Sequence, residues 1–365
     1  MISLLRISQG DLIFVQENKD TNKWFEGHVH VVRRDEVGLC FHTSFGNVFS
    51  ANAKYRVRFK LNRIPVRRQH MAMDTAFNED RVLFPQVNHL STSIIRTQQT
   101  FPIKPFNPLI SSNPPQLQAV ISILGSRPGS PPFVIFGPYV IFCIHPSLWR
   151  LNLLYSPGTG KTVTVVEAIK QILANNPNAK ILACAPSNSA ADLIAARLVK
   201  TRSSLGLTMD ELFRLYAPSR SKDQVPDDLK DFTHSNSDGH LSIPTMARFT
   251  RFKVIVTTCI SAAILQGVGL PRGHFSHIFI DEAGQATEPE AFVSIKLMAD
   301  SKTNIALSGD PKQLGPIIRS GVARQLGLEI SYLERLMDRD PYDLKKGYGK
   351  RYTFCSFGIL SSLNT

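Results

Sequence analysis

One short stretch restricts the possible folds of this chain more than any other: the run SPGTGKT at residues 156–162. Its glycines allow backbone N–H groups to converge on phosphate oxygens, and its lysine supplies a positive charge for the β- and γ-phosphates. The threonine after the lysine offers a hydroxyl to Mg²⁺, and the helical pattern that follows brings a helix N-terminus to the same anion. The predicted nucleotide contacts in this loop are Gly158, Thr159, Gly160, Lys161 and Thr162.

From residue 133 onward, nearly continuous apolar runs alternate with helical patterns. The runs FVIF, AKILACAPS, FKVIVTTC, HIFIDEAG and NIALSGD have the composition of strands that are buried on both faces. The segments TVTVVEAIKQILANN and SAADLIAARLVKT have helical spacing. This alternation predicts an α/β domain with a mostly parallel sheet and a ligand site at the carboxyl ends of its strands. We place the domain at residues 133–350 and interpret the polar residues 217–242 as a surface excursion.

Two further motifs follow apolar runs in this domain. In HIFIDEAGQA, Asp281 is the expected Mg²⁺ partner and Glu282 the base that orients or deprotonates the attacking water. In LSGDPKQLGP, Gln313 is suited to sensing a γ-phosphate or its water. Each pattern alone also fits a helix N-cap or an ordinary loop. Their order after the lysine–threonine loop favours nucleotide hydrolysis.

Residues 1–95 have the pattern of short β-strands separated by turns. In YRVRFKL, Tyr55 and Val57 are predicted to face a core, while the intervening basic residues form a stripe on the opposite face. That stripe is either a solvated strand face or an RNA contact. Residues 96–132 read as a Pro- and Ser-rich linker that contains a short helix around 116–124.

Charge and cysteine usage limit the class of partner and the compartment. The net charge of +13, from 42 Lys and Arg against 29 Asp and Glu, favours a polyanion, with nucleic acid first and an anionic membrane surface second. The five cysteines form no C-x-x-C pair, which favours reduced thiols in the cytosol or nucleus. No apolar run reaches the ~20 residues that a membrane-spanning helix needs.

Taken together, these motifs resemble the Upf-like branch of superfamily 1 helicases. The residues that carry the resemblance are NPPQLQAV, PGTGKT, APSNSAAD, VTTC, DEAG and GDPKQLGP, and DEAGQ and KQLGP are closest to the Mov/Armitage subgroup of RNA helicases. The N-terminal runs FEGHVHVVRRDEVGLCFH and YRVRFKLNRIPVRRQH are similar to the barrel region of that subgroup. The resemblance implies an N-terminal small β-barrel followed by a RecA-like P-loop NTPase domain.

The resemblance also implies roles for individual residues and an activity. Gln116 would read the adenine of ATP, and Thr162 and Asp281 would hold Mg²⁺, while Gln313 would couple the γ-phosphate to movement. The implied activity is ATP-dependent 5′-to-3′ translocation on single-stranded RNA, with cytoplasmic small-RNA silencing proteins, in ribonucleoprotein granules, as possible partners. The residues implied in contact with the RNA backbone are Pro186, Ser187, Asn188 and Thr258.

The sequence departs from this family pattern in two places. Removing residues 139–156 would restore the family loop as IFGP–PGTGKT, and we interpret this segment as an aberrant insertion, a translated intron. A genuine insertion, in which LNLLY replaces VIFG as the strand before the loop, is the alternative. The tail at residues 351–365 resembles nothing in the family, and the sequence shows no second RecA-like domain.

Two functions remain open from the sequence. The first is an ATP-dependent RNA helicase, an enzyme, whose activity in a chain that ends here is in doubt. The second is a non-catalytic RNA-binding fragment with a disrupted ATP site. A DNA helicase or another P-loop NTPase is disfavoured by KQLGP together with the barrel resemblance.

Overall fold

The computed structural model describes residues 12–17, 23–32, 36–60, 62–90, 103–137, 160–237, 239–310, 315–343 and 353–355. Contacts between residues divide the chain into two compact units, Met1–Arg67 and Arg68–Thr365. The sequence interpretation extended the β-rich region to residue 95, whereas the structure assigns residues 68–90 to the second unit. The two units are described separately below.

The first unit contains a four-stranded antiparallel sheet, as the β-strand pattern of the sequence predicted. The strands occur in the order β3-β2-β1-β4, with an irregularity in the β2–β3 pairing between Val29 and Val31. Its elements are β1 (Leu12–Glu17), β2 (Phe25–Val32), β3 (Val37–Phe41), α1 (Thr43–Gly46) and β4 (Tyr55–Lys60).

The core of the first unit is small. Its core cluster in the described part consists of Ile13 and Val15 of β1 and Phe45 of α1, which aromatic rings from the strands surround. Val29 of β2 is also buried. On β4, the predicted inward-facing Val57 is 47% exposed. Strict alternation therefore gives the strand correctly but not the coverage of its face, because coverage depends on an element from elsewhere in the chain.

The second unit begins with short helices, and hydrogen bonds from side chains to backbone carbonyls attach them to the rest of the unit. Lys296 donates to the carbonyl of Met73 at 2.8 Å, and Arg81 donates to the carbonyls of Ser130 and Asp300 at 2.8 and 2.9 Å. These bonds to backbone carbonyls explain why residues 68–90 belong to this unit. The helices are α2 (Ile64–Asp74), which spans the boundary, α3 (Asp80–Leu83), α4 (Pro108–Ser111) and α5 (Pro114–Leu124).

A seven-stranded sheet forms the body of the second unit, and all its strand pairs are parallel. The strands occur in the order β11-β5-β10-β9-β6-β8-β7. The five strands predicted from apolar runs are confirmed, while the two edge strands were not predicted. The strands are β5 (Phe133–Phe136), β6 (Ile181–Ala185), β7 (Leu212–Arg214), β8 (Val254–Thr258), β9 (His277–Ile280), β10 (Asn304–Gly309) and β11 (Thr353–Cys355).

Helices cover both faces of this sheet. The α-helices that follow β5 are α6 (Lys161–Asn175), α7 (Asn188–Thr201), α8 (Met246–Phe249), α9 (Ala263–Gly267), α10 (Glu288–Met298), α11 (Gly321–Gln325) and α12 (Tyr332–Met337). Short 3₁₀ turns occupy Val87–Leu90, Arg202–Leu205, Lys222–Gln224, Asp227–Phe232, Ile260–Ala262, Ala283–Gln285 and Asp340–Tyr342. Within the described part of the chain, every helix is too short or too polar to cross a lipid bilayer.

The strands divide their side chains between two cores, one on each face of the sheet. Leu182 and Cys184 of β6 join the core that contains Phe292 of α10, whereas Ile181 and Ala183 join the core that contains helices α5, α6 and α7. Successive side chains of a strand point to opposite faces, so burial on both faces produces the continuous apolar runs of the sequence.

The polar stretch 217–242 is anchored rather than fully on the surface. Leu229, Phe232 and Leu241 are buried in the core on the α7 side of the sheet. The apolar residues in this stretch are too widely spaced to give a periodic signal, which is why the sequence suggested only an excursion.

Candidate nucleotide site and RNA-binding edge

The end of the phosphate loop lies at the start of α6. Gly160 precedes the helix with φ of 76°, a left-handed conformation that glycine adopts without strain. Lys161 opens the helix and is only 7% exposed, and Thr162 beside it is partly buried. The backbone N–H of Thr164 donates to the Gly160 carbonyl at 2.9 Å and closes the first turn. The predicted contacts at 158 and 159 lie outside the described residues.

Gln116 contacts this loop directly. Asn113 caps α5 by accepting the backbone N–H of Gln116 at 3.4 Å, and the Gln116 side chain is 5% exposed. Its Nε2 donates to the Gly160 carbonyl at 3.1 Å. A Cβ at residue 160 would lie 2.1 Å from this nitrogen, so the contact requires glycine there. The structure thus brings Gln116 to the loop, and its reading of adenine stays a prediction.

The acidic pair follows β9 at the carboxyl edge of the sheet, where α/β folds bind ligands. Asp281 is 1% exposed, and its backbone N–H donates to the Cys184 carbonyl at 2.9 Å. Its Oδ1 is buried and has no hydrogen-bond partner among the described residues. A buried carboxylate oxygen without a donor is costly, and a bound cation would satisfy it.

Glu282 combines an unusual backbone with a perturbed acidity. Its φ of 53° is the one positive φ of a non-glycine residue in the described segments. Burial raises its pKa above the ordinary glutamate value, the neighbouring Asp281 raises it further, and the Lys161 ammonium opposes both effects. Gln285 donates to its Oε2 at 3.2 Å. A carboxylate with a raised pKa beside a lysine is suited to general-base chemistry.

The end of β10 closes tightly on the acidic turn. A Cβ at Gly284 would lie 2.8 Å from the Asp310 carbonyl, so only glycine permits this approach. Asp310 is 6% exposed and adds to the negative field that raises the pKa of Glu282. The sequence did not assign a role to Asp310, although it lies in the GDPKQ motif. Gln313 of the same motif lies outside the described residues.

The residues present at this edge of the sheet fit Mg²⁺ and a nucleoside triphosphate. Thr162 and Asp281 supply oxygen ligands, which Mg²⁺ prefers, and Lys161 supplies positive charge for phosphate oxygens. The described residues contain no cluster of three or more His, Cys, Asp or Glu that would bind a metal through protein ligands alone. Mg²⁺ commonly binds through one or two carboxylates together with substrate phosphates, so this donor set is sufficient.

The four residues implied in RNA contact lie where the neighbouring strands β6 and β8 end, and we call this set the RNA-binding edge after its implied role. Pro186 and Ser187 connect β6 to α7, Asn188 opens α7, and Thr258 ends β8 opposite Ala185. The two hydroxyls already have local partners. Ser187 accepts the backbone N–H of Ala190 at 3.2 Å, and Thr258 accepts that of Ser261 at 3.2 Å. Both hydroxyls therefore cap local structure, and their contact with RNA stays a prediction.

Sequence reasoning missed one buried group behind this edge. Arg214, at the end of β7, is 1% exposed and forms an ion pair of 2.8 Å with Asp192 of α7. Strand β7 is only three residues long and carries no motif, so nothing local marked this arginine. Its side-chain partners on α7, Asp192 and Asn188, lie more than twenty residues away in the sequence.

Two family models match the chain. The AAA domain model matches residues 111–248 and 245–321, together more than half of the chain. The model described as "Helicase MOV-10, beta-barrel domain" matches residues 3–59, which include the four strands of the first unit except for the end of β4.

Several curated proteins are similar over most of the chain. The helicase named mov-10-B.1 of Danio rerio is 38% identical over 92% of this chain and 31% of its own length. RNA helicase Mov10l1 of Homo sapiens is 39% identical over 68% of this chain and 18% of its own length. RNA helicase armi of Drosophila melanogaster is 31% identical over 89% of this chain and 28% of its own length. The chain thus spans less than a third of each of these relatives.

Proposed function

Because the chain belongs to the Mov/Armitage subgroup of Upf-like superfamily 1 helicases, we propose that it acts in ATP-dependent helicase chemistry on single-stranded RNA. The observation that carries the proposal is the buried, unpartnered Oδ1 of Asp281 at the edge that also holds Glu282 and Lys161. A bound cation would pair with the Asp281 carboxylate, and a phosphate chain would pair with the Lys161 ammonium.

Each residue of the edge has a role that its geometry permits. Lys161 neutralises charge on the β- and γ-phosphates, and Glu282 accepts a proton from the attacking water. Mg²⁺, held by Thr162 and Asp281, would supply charge neutralisation to the phosphates. Gln313, which lies outside the described residues, would couple the γ-phosphate to movement, as the resemblance implies.

The RNA-binding edge would contact the backbone of the strand and not its bases. The net charge of +13 favours such binding, which carries no sequence preference. We further propose 5′-to-3′ movement and a role in cytoplasmic small-RNA silencing, on the basis of the resemblance and the names of the relatives Mov10l1 and armi. Movement in one direction is measured by comparing unwinding of duplexes with 5′ and 3′ overhangs.

The test of ATP use is nucleotide binding, because binding does not require turnover. A fluorescent ATP analogue with Mg²⁺ is titrated into the chain and into a variant that lacks residues 139–156. We expect tight binding to the deletion variant and its loss in the same background with Lys161→Ala. Lys200→Ala, an exposed lysine near the end of α7, is the matched control and should bind like its parent.

The alternative function is an RNA-binding fragment without ATP chemistry. The interruption of the loop by residues 139–156 favours it, because Tyr155 occupies the first glycine position of the loop. RNA binding without nucleotide binding, in both the chain and the deletion variant, would select this alternative. Nucleotide binding by the unchanged chain as tight as by the deletion variant would show that the phosphate loop forms with residues 139–156 in place.

A further inference from the structure

The buried arginine behind the RNA-binding edge is the group that the proposed function does not yet use. The Arg214 guanidinium lies 3.9 Å from the ring centroid of Tyr216, and the hydroxyl of that tyrosine donates to Asp192 Oδ1 at 2.7 Å. Arg214 Nε also donates to Asp192 Oδ1, at 2.8 Å. Burial lowers the pKa of Arg214, but guanidinium stays protonated in proteins. The charge is therefore paired and stacked inside the protein.

The same guanidinium reaches the first residue of α7. Its Nη2 lies 3.1 Å from Asn188 Oδ1 and 3.5 Å from the Asn188 carbonyl. Asn188 and Asp192 are one helical turn apart, so a single arginine holds the first turn of α7 at two positions. The turn it holds begins directly after Ser187.

Arg214 also reaches the strand that ends at the second RNA-contacting segment. Its Nη1 donates to the carbonyls of Leu215 at 2.7 Å and of Val256 at 3.4 Å. The Leu215 carbonyl also accepts the hydroxyl of Thr257 at 3.0 Å, immediately before Thr258. One buried side chain thus connects both segments implied in RNA contact.

The contact with Asn188 determines which atoms its amide presents outward. A guanidinium only donates hydrogen bonds, so the Asn188 Oδ1 must face Arg214. The Nδ2 group, with its two donors, then faces away from the arginine. Among the described residues this nitrogen has no hydrogen-bond partner, and the Asn188 side chain is partly exposed. An outward amide donor can bind a phosphate oxygen, and such a contact carries no sequence information.

We propose that Arg214 is a positioning residue for RNA binding: it orients the Asn188 amide so that Nδ2 donates to an RNA phosphate oxygen. This proposal rests on the proposed function, since it assigns a chemical task to the RNA-binding edge. A lysine could not replace the arginine, because one ammonium cannot contact the two α7 side chains and the β8 carbonyl in this fixed geometry.

Two variants separate orientation from mere stability. Asn188→Asp keeps an acceptor for Arg214 and removes the donor, so it should fold normally and bind single-stranded oligouridine about tenfold more weakly. Asn178→Asp, an exposed position in the turn before β6, makes the same charge change and should bind RNA like the unchanged chain. Arg214→Lys should weaken RNA binding by a similar factor. Introduced into the variant that lacks residues 139–156, it should leave nucleotide binding unchanged.

The decisive measurement is the affinity for RNA in which one phosphate is replaced by an uncharged methylphosphonate. Oligouridines that carry one methylphosphonate at successive positions are titrated into each variant. In the unchanged chain, one position should weaken binding about tenfold, and in Asn188→Asp the same position should have no further effect. If Arg214 had only a structural role, the folded Arg214→Lys variant would keep the full effect of the methylphosphonate at that position.

The outcomes distinguish this proposal from the proposed function. If the unchanged chain does not bind oligouridine, both are rejected. If it binds, but Asn188→Asp has the affinity and the methylphosphonate profile of the unchanged chain, only the positioning role is rejected. Should Arg214→Lys fail to fold, the Asn188→Asp result still decides the matter.

Discussion

The two sheets of this protein bury their side chains to different extents. The seven-stranded sheet is covered on both faces, and its strands β6 and β10 are wholly buried. In the described part, the four-stranded sheet encloses a core cluster of only three buried residues and exposes Val57. Parallel sheets require cover on both faces, and antiparallel sheets tolerate one solvated face. A sheet covered on both faces is a rigid support for the proposed catalytic residues, whereas the sparsely covered small sheet presents charged side chains to solvent.

The largest expected effect tests this contrast in the cores. Leu182→Ala, in the middle of the seven-stranded sheet, should lower the free energy of unfolding by about 3–5 kcal/mol. Ile13→Ala in the small sheet should cost about 2 kcal/mol, because the surrounding structure can collapse more easily. Urea unfolding followed by circular dichroism and by Trp24 fluorescence, in a Trp149→Phe background, measures both.

The contrast fails if the two substitutions behave alike. Equal losses, with a single transition seen by both probes, would show that the two units unfold as one. A loss at Ile13 confined to the Trp24 signal would support separate units.

A smaller effect is expected at the charged surface of the small sheet. Arg58, exposed on β4, lies with its guanidinium 4.4 Å from the ring centroid of Trp24. Arg58→Glu should weaken RNA binding several-fold, and the log–log slope of affinity against salt should become shallower by about 0.7 for each phosphate that is no longer neutralised. Lys222→Glu, in the polar stretch of the second unit, is the charge-matched control. An equal effect of both would mean that total charge, and not this face, drives binding.

A further expected effect is a pH-dependent change in stability at Glu290, on helix α10, which packs on the large sheet. Burial raises the pKa of Glu290, at the start of α10, to about 7. The folded protein then binds more protons than the unfolded chain between about pH 4.5 and 7, so its stability falls as pH rises through that window. Glu290→Gln should therefore be more stable than the parent by about 1–2 kcal/mol at pH 8, with little difference at pH 4.5.

Thermal or urea unfolding at both pH values checks this difference. Glu26→Gln, exposed in the small sheet, is the control for a general effect of removing one negative charge. A pH-independent gain at Glu290 would show that its carboxyl group is not perturbed in the folded state.

The sequence predicted the central strands and the acidic edge because each has a local signature. Buried parallel strands give continuous apolar runs, and Asp281 and Glu282 follow such a run directly. The network around Arg214 had no signature, since its partner Asn188 lies 26 residues away and no spacing rule relates a strand end to a helix start. The assignment of residues 68–90 to the second unit also had no local signature, because the bonds from Arg81 to distant carbonyls leave no periodic pattern.

Strand β11 illustrates another limit of local reasoning. Residues 351–365 resembled nothing in the family, yet Thr353–Cys355 pairs with β5 in parallel at the sheet edge. An edge strand needs only backbone donors and acceptors from its neighbour, so almost any short extended sequence can occupy it. Composition therefore could not have predicted this pairing.

The backbone of Glu282 has a consequence for how such a protein can be improved or can evolve. A left-handed conformation costs a residue with a side chain roughly 1 kcal/mol or more, and asparagine or glycine would adopt it with less strain. Selection for thermal tolerance alone would therefore favour replacing the residue proposed as the base. Laboratory libraries screened only for heat resistance should lose glutamate at this position, whereas lineages under selection for activity should keep it despite its strain.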